Sequence, residues 1–293
     1  MQFDIGIMRA IRSLHGLLGS AGDVIFALFT FLGEETFIIL LLAGIYWCAN
    51  KRMGEYLILS LYTSTAFNVF VKDLIKRPRP FMGENARFFR HVKIDNPLVD
   101  TVLLSHSYSF PSGHSQSAAS VLGGLALWFK KPGVTAACAL ITFGVMVSRV
   151  YLGVHYPTDV LTGAVLGFAF SALLYHVFER FYHHRALVFA ATVFLSSLTL
   201  LGDFSADAVK ALGLGIGAAL GVFLEEKTLS FEIKGTLPRR IIRLLLGVAL
   251  ISGIKLGAGA LPPDGDIFSA LSYALLGFFI IYLWPLIFTK FKL

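Results

Sequence analysis

The chain has 293 residues, is 56% hydrophobic and only 15% charged, and carries a mean hydropathy of +0.74 and a formal net charge of +7. A soluble domain carries about 25% charged residues, and a soluble fold would leave this chain's long apolar runs in water, so a polytopic membrane protein built of helices is the class that remains. Nucleic acid is not an expected partner: the basic residues sit in short loops between apolar runs, a pattern of topology control rather than a binding stripe.

In chain order, residues 1–20 mix Asp4, Arg9, Arg12 and His15 with Ile5, Met8, Ile11, Leu14, Leu17 and Leu18 at helical spacing. They lack the clean apolar block of a cleavable signal peptide. The expectation is an amphipathic helix at the membrane surface within an N-terminal segment, 1–30. Nine spans follow at about 31–49, 54–75, 113–129, 133–151, 158–178, 186–203, 206–224, 241–260 and 267–289. The predicted fold class is all-α, a polytopic transmembrane helix bundle. Its core covers 31–185, and a C-terminal extension of about four further spans covers 186–293. Connections are short except for 81–110 and 225–240. Cys48 and Cys138 lie in separate apolar runs and read as small buried residues, not as a disulfide.

Three strings carry chemistry. Lys72-Asp73-Leu74-Ile75-Lys76-Arg77-Pro78-Arg79-Pro80 ends the second span, Pro111-Ser112-Gly113-His114 opens the third, and Ser148-Arg149 with His155 and Asp159 joins the fourth to the fifth. Alternation of the spans brings all three to one face of the bilayer. Loops of the opposite face hold Lys51, Arg52, Lys130, Lys131, Arg180, Arg185, Lys227, Lys234, Arg239, Arg240 and Arg243, with Lys290 and Lys292 in the tail. The positive-inside rule then turns the motif face away from the cytoplasm, toward periplasm, cell exterior or a lumen.

His155 and Asp159 flank Pro157, a residue suited to the first turn of a helix. The carboxylate can fix the imidazole tautomer and leave the other ring nitrogen free to attack phosphorus. Arg149 can clamp phosphate oxygens in bidentate fashion. A helix-capping Asp159 beside an interfacial histidine is the plainer alternative for that trio. Ser112 and Gly113 at a helix start form an anion site of N–H groups and dipole, and His114 sits beside it, able to protonate a leaving oxygen. Taken alone, a serine cap with a bystander histidine explains that string. Pro78 and Pro80 break the second span, so that Lys72 and Arg79 can turn toward one point. Lys76 and Arg77 are expected to snorkel to the interface.

Together these strings resemble the type 2 phosphatidic acid phosphatase superfamily, shared with vanadium haloperoxidases. The pattern Lys, six residues, Arg-Pro; Pro-Ser-Gly-His; Ser-Arg, five residues, His, three residues, Asp is matched at each defining position over about residues 31–178. The resemblance implies His155 as nucleophile, Asp159 as its orienting carboxylate, and His114 as general acid. It implies Lys72, Arg79, Ser112, Gly113 and Arg149 as phosphate ligands, with no metal and no cofactor. It implies an integral-membrane phosphatase for a phosphorylated lipid in the bilayer, with polyprenyl diphosphates, phosphatidate, phosphatidylglycerol phosphate and sphingoid-base phosphates as candidates. A phosphotransferase, a phosphatase for a sugar phosphate such as glucose-6-phosphate, and a non-catalytic lipid-binding or transport protein stay open. So does the oligomeric state.

Other polar residues are less informative. Glu34 and Glu35 open the first span on the motif face, where they can pair with the basic cluster or simply start a helix. Asp203, Asp207, Lys210 and Lys255 lie in the extension, Asp207 and Lys210 at pairing distance on one helix. The 81–110 loop mixes Phe88, Phe89, Tyr108 and Phe110 with Arg87, Arg90, His91, Lys93 and His106. It reads either as a cover over the site or as an ordinary interfacial loop.

Overall fold

The structure, a computed structural model, describes residues 2–82, 108–198, 205–260 and 266–293. Eleven α-helices account for most of it: α1 (Gln2–Leu32), α2 (Glu35–Gly44), α3 (Lys51–Ile75), α4 (Gly113–Phe129), α5 (Pro132–Tyr151), α6 (Pro157–Arg180), α7 (Arg185–Ser197), α8 (Ala206–Leu224), α9 (Leu237–Ala260), α10 (Asp266–Phe278) and α11 (Trp284–Lys290). Among the described residues there is no strand, in keeping with the all-α class. Among the described residues four helices are long and apolar enough to cross a membrane: Pro132–Tyr151, Pro157–Arg180, Ala206–Leu229 and Ile267–Lys290. The bent pair Phe3–Ile11 and Gly16–Leu32 makes a fifth if counted as one span. The nine expected spans exceed this because apolar runs also built shorter or more charged helices, such as α7 with 13 residues and α3 with Lys, Glu and Asp along its length.

Contacts divide the chain into two compact units, Met1–Ile38 with Phe70–Leu173, and Ile39–Val69 with Leu174–Leu293. In the first unit the start of the N-terminal stripe, Ile5, Met8 and Ile11, meets protein, whereas Leu17 and Leu18 are exposed. Met8 is buried with Val150, Tyr156 and Val160, and Ile5, Ile11 and Met146 pack against them. Burying that face stabilises the packed arrangement by about 1.5–3 kcal/mol per fully buried large side chain. α1 is broken at Gly19, whose φ of 53° and ψ of −141° are non-helical. α6 packs on α4 through two glycines: a Cβ at Gly163 would stand 2.5 Å from the Ser112 carbonyl, and one at Gly167 would stand 2.2 Å from that of Gln116. Such small-residue spacing lets helix backbones approach closely in a membrane.

In the second unit, Tyr46 and Trp47 on a π-helical turn donate to the carbonyls of Ile281 and Ile280 at 3.1 and 2.8 Å. Gly213 and Gly217 of α8 lie against the backbone of Ala270 and Ala274. Several basic residues attributed to topology are instead paired: Arg185 Nε stands 3.4 Å from Glu55 Oε1 and its Nη2 3.2 Å from Glu225 Oε2. Lys51 pairs with Glu225, and Arg52 with Glu179 at 2.9 Å. Buried carboxylates need such partners. Asp207 and Lys210 pair at 3.5 Å, as their spacing predicts. Cys48 and Cys138 are free thiols.

Candidate active site

Each motif sits where a helix begins or ends, and local chemistry sets those ends. α3 stops at Ile75 because Arg77 precedes Pro78 and is turned away from helical backbone. Lys76 takes the left-handed conformation, φ 49°, its N–H donating to the Lys72 carbonyl at 2.9 Å. Lys72 therefore stays on the last helical turn while Arg79 lies beyond it. α4 starts at Gly113 with Ser112 as N-cap, its Oγ facing the Ser115 N–H at 3.5 Å. α5 ends at Tyr151, and Gly153 turns the chain at φ 71°, a conformation that costs other residues about 1–2 kcal/mol. His155 follows on that turn, and Asp159 lies in the first turn of α6.

All eight expected site residues belong to the first unit. His155 and Asp159 are buried, with Nδ1 3.5 Å from Oδ2. That separation is too long for a good hydrogen bond. Asp159 is already engaged: Oδ2 accepts from the Tyr156 N–H at 2.9 Å and from Ser109 Oγ, and Oδ1 from Arg77 Nη1 at 2.6 Å. The Ser112 N–H donates to the Asp159 carbonyl at 3.0 Å, which ties the anion-site turn to the turn that bears the carboxylate. Arg79 is buried and donates to the Val154 carbonyl at 3.2 Å, next to His155. Arg149 is buried with Nε and Nη2 meeting no acceptor among the described residues. An unpaired buried guanidinium is costly unless an anion arrives to satisfy it.

His114 is half-buried on the first turn of α4, Nε2 3.1 Å from Glu34 Oε1. The charge of Lys72 is felt by both histidines. Burial, then the charges of Arg79, Arg149, Lys72 and His114, hold His155 well below the ordinary histidine range. Burial and then Arg149 bring Arg79 down to about 10, leaving it charged at neutral pH. Among the described residues no three His, Cys, Asp or Glu side chains gather where they could hold a metal ion.

Arg77 corrects one expectation. It does not snorkel: it stacks on the Tyr156 ring at 4.0 Å, bridges Asp159 and Asp4 at 2.6 and 2.9 Å, and donates to Thr158 Oγ1 at 2.8 Å. Asp4, buried on α1, also accepts from the Thr158 N–H at 3.0 Å. Ser109 and Thr158 were not singled out either; nothing short of the fold brings Ser109 to Asp159 or Thr158 to Arg77 and Asp4. Of the 81–110 loop, Arg87, Phe88, Phe89, Arg90, His91, Lys93 and His106 fall outside the described residues, as does Asp203.

Comparison with known proteins bears on this geometry. A family model described as the PAP2 superfamily matches residues 54–183, and one described as PAP2 superfamily phosphatase, transmembrane extension, matches 209–293. Phosphatidylglycerophosphatase B of Bacillus subtilis is 33% identical over 151 residues, covering 47% of this chain and 66% of that protein. Decaprenylphosphoryl-5-phosphoribose phosphatase of Mycobacterium tuberculosis is 32% identical over 181 residues, covering 58% of this chain and 88% of that one. A crystal structure of a transmembrane PAP2 type phosphatidylglycerolphosphate phosphatase from Bacillus subtilis aligns with a TM-score of 0.49 and 27% identity, over 61% of this chain and 86% of that chain.

Proposed function

The chain belongs to the PAP2 superfamily, a multi-pass membrane protein with that family's transmembrane extension, and from this premise we propose that it is a phosphatase releasing phosphate from a lipid phosphate or diphosphate through a phosphohistidine at His155. The observation that carries the reading is Arg149: a buried guanidinium with two nitrogens that meet no acceptor among the described residues, in the same unit as the buried His155–Asp159 pair.

In the first step His155 Nε2 attacks phosphorus while the bond to the lipid oxygen breaks. The electron pair leaves with that oxygen, which takes a proton from His114. Asp159, close to Nδ1, stabilises the charge that builds on the ring. Lys72, Arg79 and Arg149, with the Ser112–Gly113 helix start, hold the phosphoryl oxygens, where charge is redistributed in the transition state. In the second step water attacks the phosphorus and gives its proton to His114. The P–N bond breaks, its pair returns to Nε2, and inorganic phosphate leaves.

The named relatives act on phosphorylated membrane lipids, which favours a lipid over a sugar phosphate here. We also infer that the site opens on the extracytoplasmic face. The inference leans on Lys131, Arg180, Lys227, Arg239, Lys290 and Lys292, because Lys51, Arg52 and Arg185 are matched by carboxylates. With Cys48 and Cys138 replaced, an impermeant thiol reagent should label Lys131→Cys only after permeabilisation. Labelling in intact cells would overturn that face.

The chemistry is tested by phosphate release from detergent-purified protein across lipid phosphates, lipid diphosphates and glucose-6-phosphate. His155→Ala should lose several orders of magnitude in turnover, and the preferred member identifies the substrate class. Turnover unchanged in that variant would remove His155 as nucleophile.

A further inference from the structure

One carboxylate in the first unit has no part in these steps and yet is fixed against them. Glu34 lies on the turn between α1 and α2, its Oε1 3.1 Å from His114 Nε2 across 80 residues of chain. The turn is pinned from several sides. The Gly33 N–H donates to the Thr30 carbonyl at 2.9 Å, the Glu34 N–H to that of Phe31 at 3.1 Å, and the Ile38 N–H to that of Glu34 at 3.0 Å. Thr30 Oγ1 donates to Ser148 Oγ at 2.9 Å, the residue before Arg149. A Cβ at Gly33 would stand 2.8 Å from Val145 and 3.5 Å from His114 Cβ, so the turn backs directly onto α5 and the first turn of α4. A carboxylate held this way is placed, whereas one that merely starts a helix at an interface would face water.

We propose that Glu34 is the positioning residue of the general acid, making a second carboxylate–histidine pair beside that of Asp159 and His155. The proposal rests on the reading of His114 as the acid. With Nε2–H donated to Glu34, the tautomer of His114 is set and Nδ1 is the nitrogen left for the leaving oxygen. In the first step the Nδ1 proton passes to that oxygen as the P–O bond breaks. In the second the emptied Nδ1 takes the proton of the attacking water as the P–N bond breaks. Nε2–H stays on Glu34 throughout, so the carboxylate stabilises the imidazolium that donates and is regenerated. Asp159 performs the same service for the ring that becomes phosphorylated, and the two pairs share no carboxylate oxygen.

General acid assistance matters most when the leaving group is poor, which separates this role from a structural one. The experiment compares kcat/KM of wild type, Glu34→Gln and His114→Ala on a simple alkyl phosphate and on a nitrophenyl phosphate, with His155→Ala as control. Glu34→Gln should lose about 10-fold or more on the alkyl ester, short of the about 10²–10⁴-fold of a general acid removed outright, and less than about 3-fold on the nitrophenyl ester. Equal losses on both esters, or none on either, would overturn the proposal. If His114→Ala shows the leaving-group split and Glu34→Gln does not, only the role of Glu34 falls. If His114→Ala shows no split, the acid assignment falls with it, and activity surviving in His155→Ala would remove the phosphohistidine reading itself. Should Glu34→Gln fail to fold, Glu34→Asp, which keeps the charge but withdraws it by one methylene, gives the same comparison.

Discussion

Arg77 Nη1 lies 2.6 Å from Asp159 Oδ1 while its Nη2 lies 2.9 Å from Asp4 Oδ2, so one guanidinium ties the carboxylate beside His155 to the N-terminal helix. The Tyr156 N–H and Ser109 Oγ hold Asp159 Oδ2, and Arg77 holds Oδ1, so both oxygens are fixed although the contact with His155 is itself 3.5 Å. The N-terminal helix thereby becomes part of the site's scaffold.

Arg77→Ala should lower kcat about 10-fold or more with little change in KM, because a positioning contact matters when charge develops on His155. Arg77→Lys should restore little of it: a single ammonium cannot reproduce a planar fork that bridges two carboxylates and stacks on Tyr156. Asp4→Asn should show a weaker loss of the same kind, several-fold by the reduced pull on one nitrogen. Steady-state kinetics with melting curves checks this, and a fall in Tm with kcat intact would make the cluster purely architectural.

The pH profile follows from the cations around the nucleophile. Burial, then Arg79, Arg149, Lys72 and His114, hold the His155 imidazole well below its ordinary value. A lowered value means the neutral, nucleophilic form persists as pH falls through 6.5, the ordinary value. The acid limb of kcat/KM, which reports the free enzyme, should therefore lie below the usual histidine range. Removing a neighbouring cation lifts a penalty on the imidazolium, so Arg79→Gln should move that limb to higher pH. Comparing the two proteins on one substrate cancels the titration of the phosphate itself. A limb that stays put, or moves down, would contradict the electrostatic picture.

Excess EDTA should leave turnover unchanged, since the cradle proposed for the phosphoryl group is made of guanidinium, ammonium and helix-start N–H groups. Orthovanadate should inhibit in competition with substrate, as a mimic of five-coordinate phosphorus at His155. Activity lost to the chelator and restored by magnesium would replace this mechanism with a metal-assisted one.

The order and spacing of the three motifs led to the expectation that Lys72, Arg79, Ser112, Gly113, His114, Arg149, His155 and Asp159 share one site, and all eight lie in the first unit. Each sits at a helix end, and the helix ends are set by hydropathy and proline. The partners of those residues were not legible. Arg77 meets Asp4 and Asp159 across 73 and 82 residues, and a basic residue at the end of a span carries no local sign that it will be ion-paired. The same holds for Arg185 with Glu55 and Glu225, read as topology signals because composition counts the charges of a loop and not their acceptors. Among the described residues fewer helices meet the length and apolarity of a span than the nine apolar runs suggested, because such a run is also what a half-buried helix such as α3 presents to its neighbours.

The junction of α4 and α6 offers a test of how closely packing and chemistry are linked. The Ser112 N–H donates to the Asp159 carbonyl at 3.0 Å, and Gly163, four residues on from Asp159, leaves room for the Ser112 carbonyl. A methyl at Gly163 would stand 2.5 Å from that carbonyl, and one at Gly167 2.2 Å from the Gln116 carbonyl. Backbone cannot give way like a side chain, so α6 must move off α4 and carry Asp159 away from the anion-site turn. Gly163→Ala should cost about 1–3 kcal/mol of stability, the range for overpacking a tight core, and should lower kcat even where the protein is folded. Gly167→Ala, one turn further along, should cost similar stability with a smaller effect on kcat, because the displacement is farther from Asp159. Gly133→Ala is the control, with nothing within 4 Å of the added methyl. If the Gly163 variant melts early but turns over normally when folded, the α4–α6 contact stabilises the bundle without setting the geometry of the site.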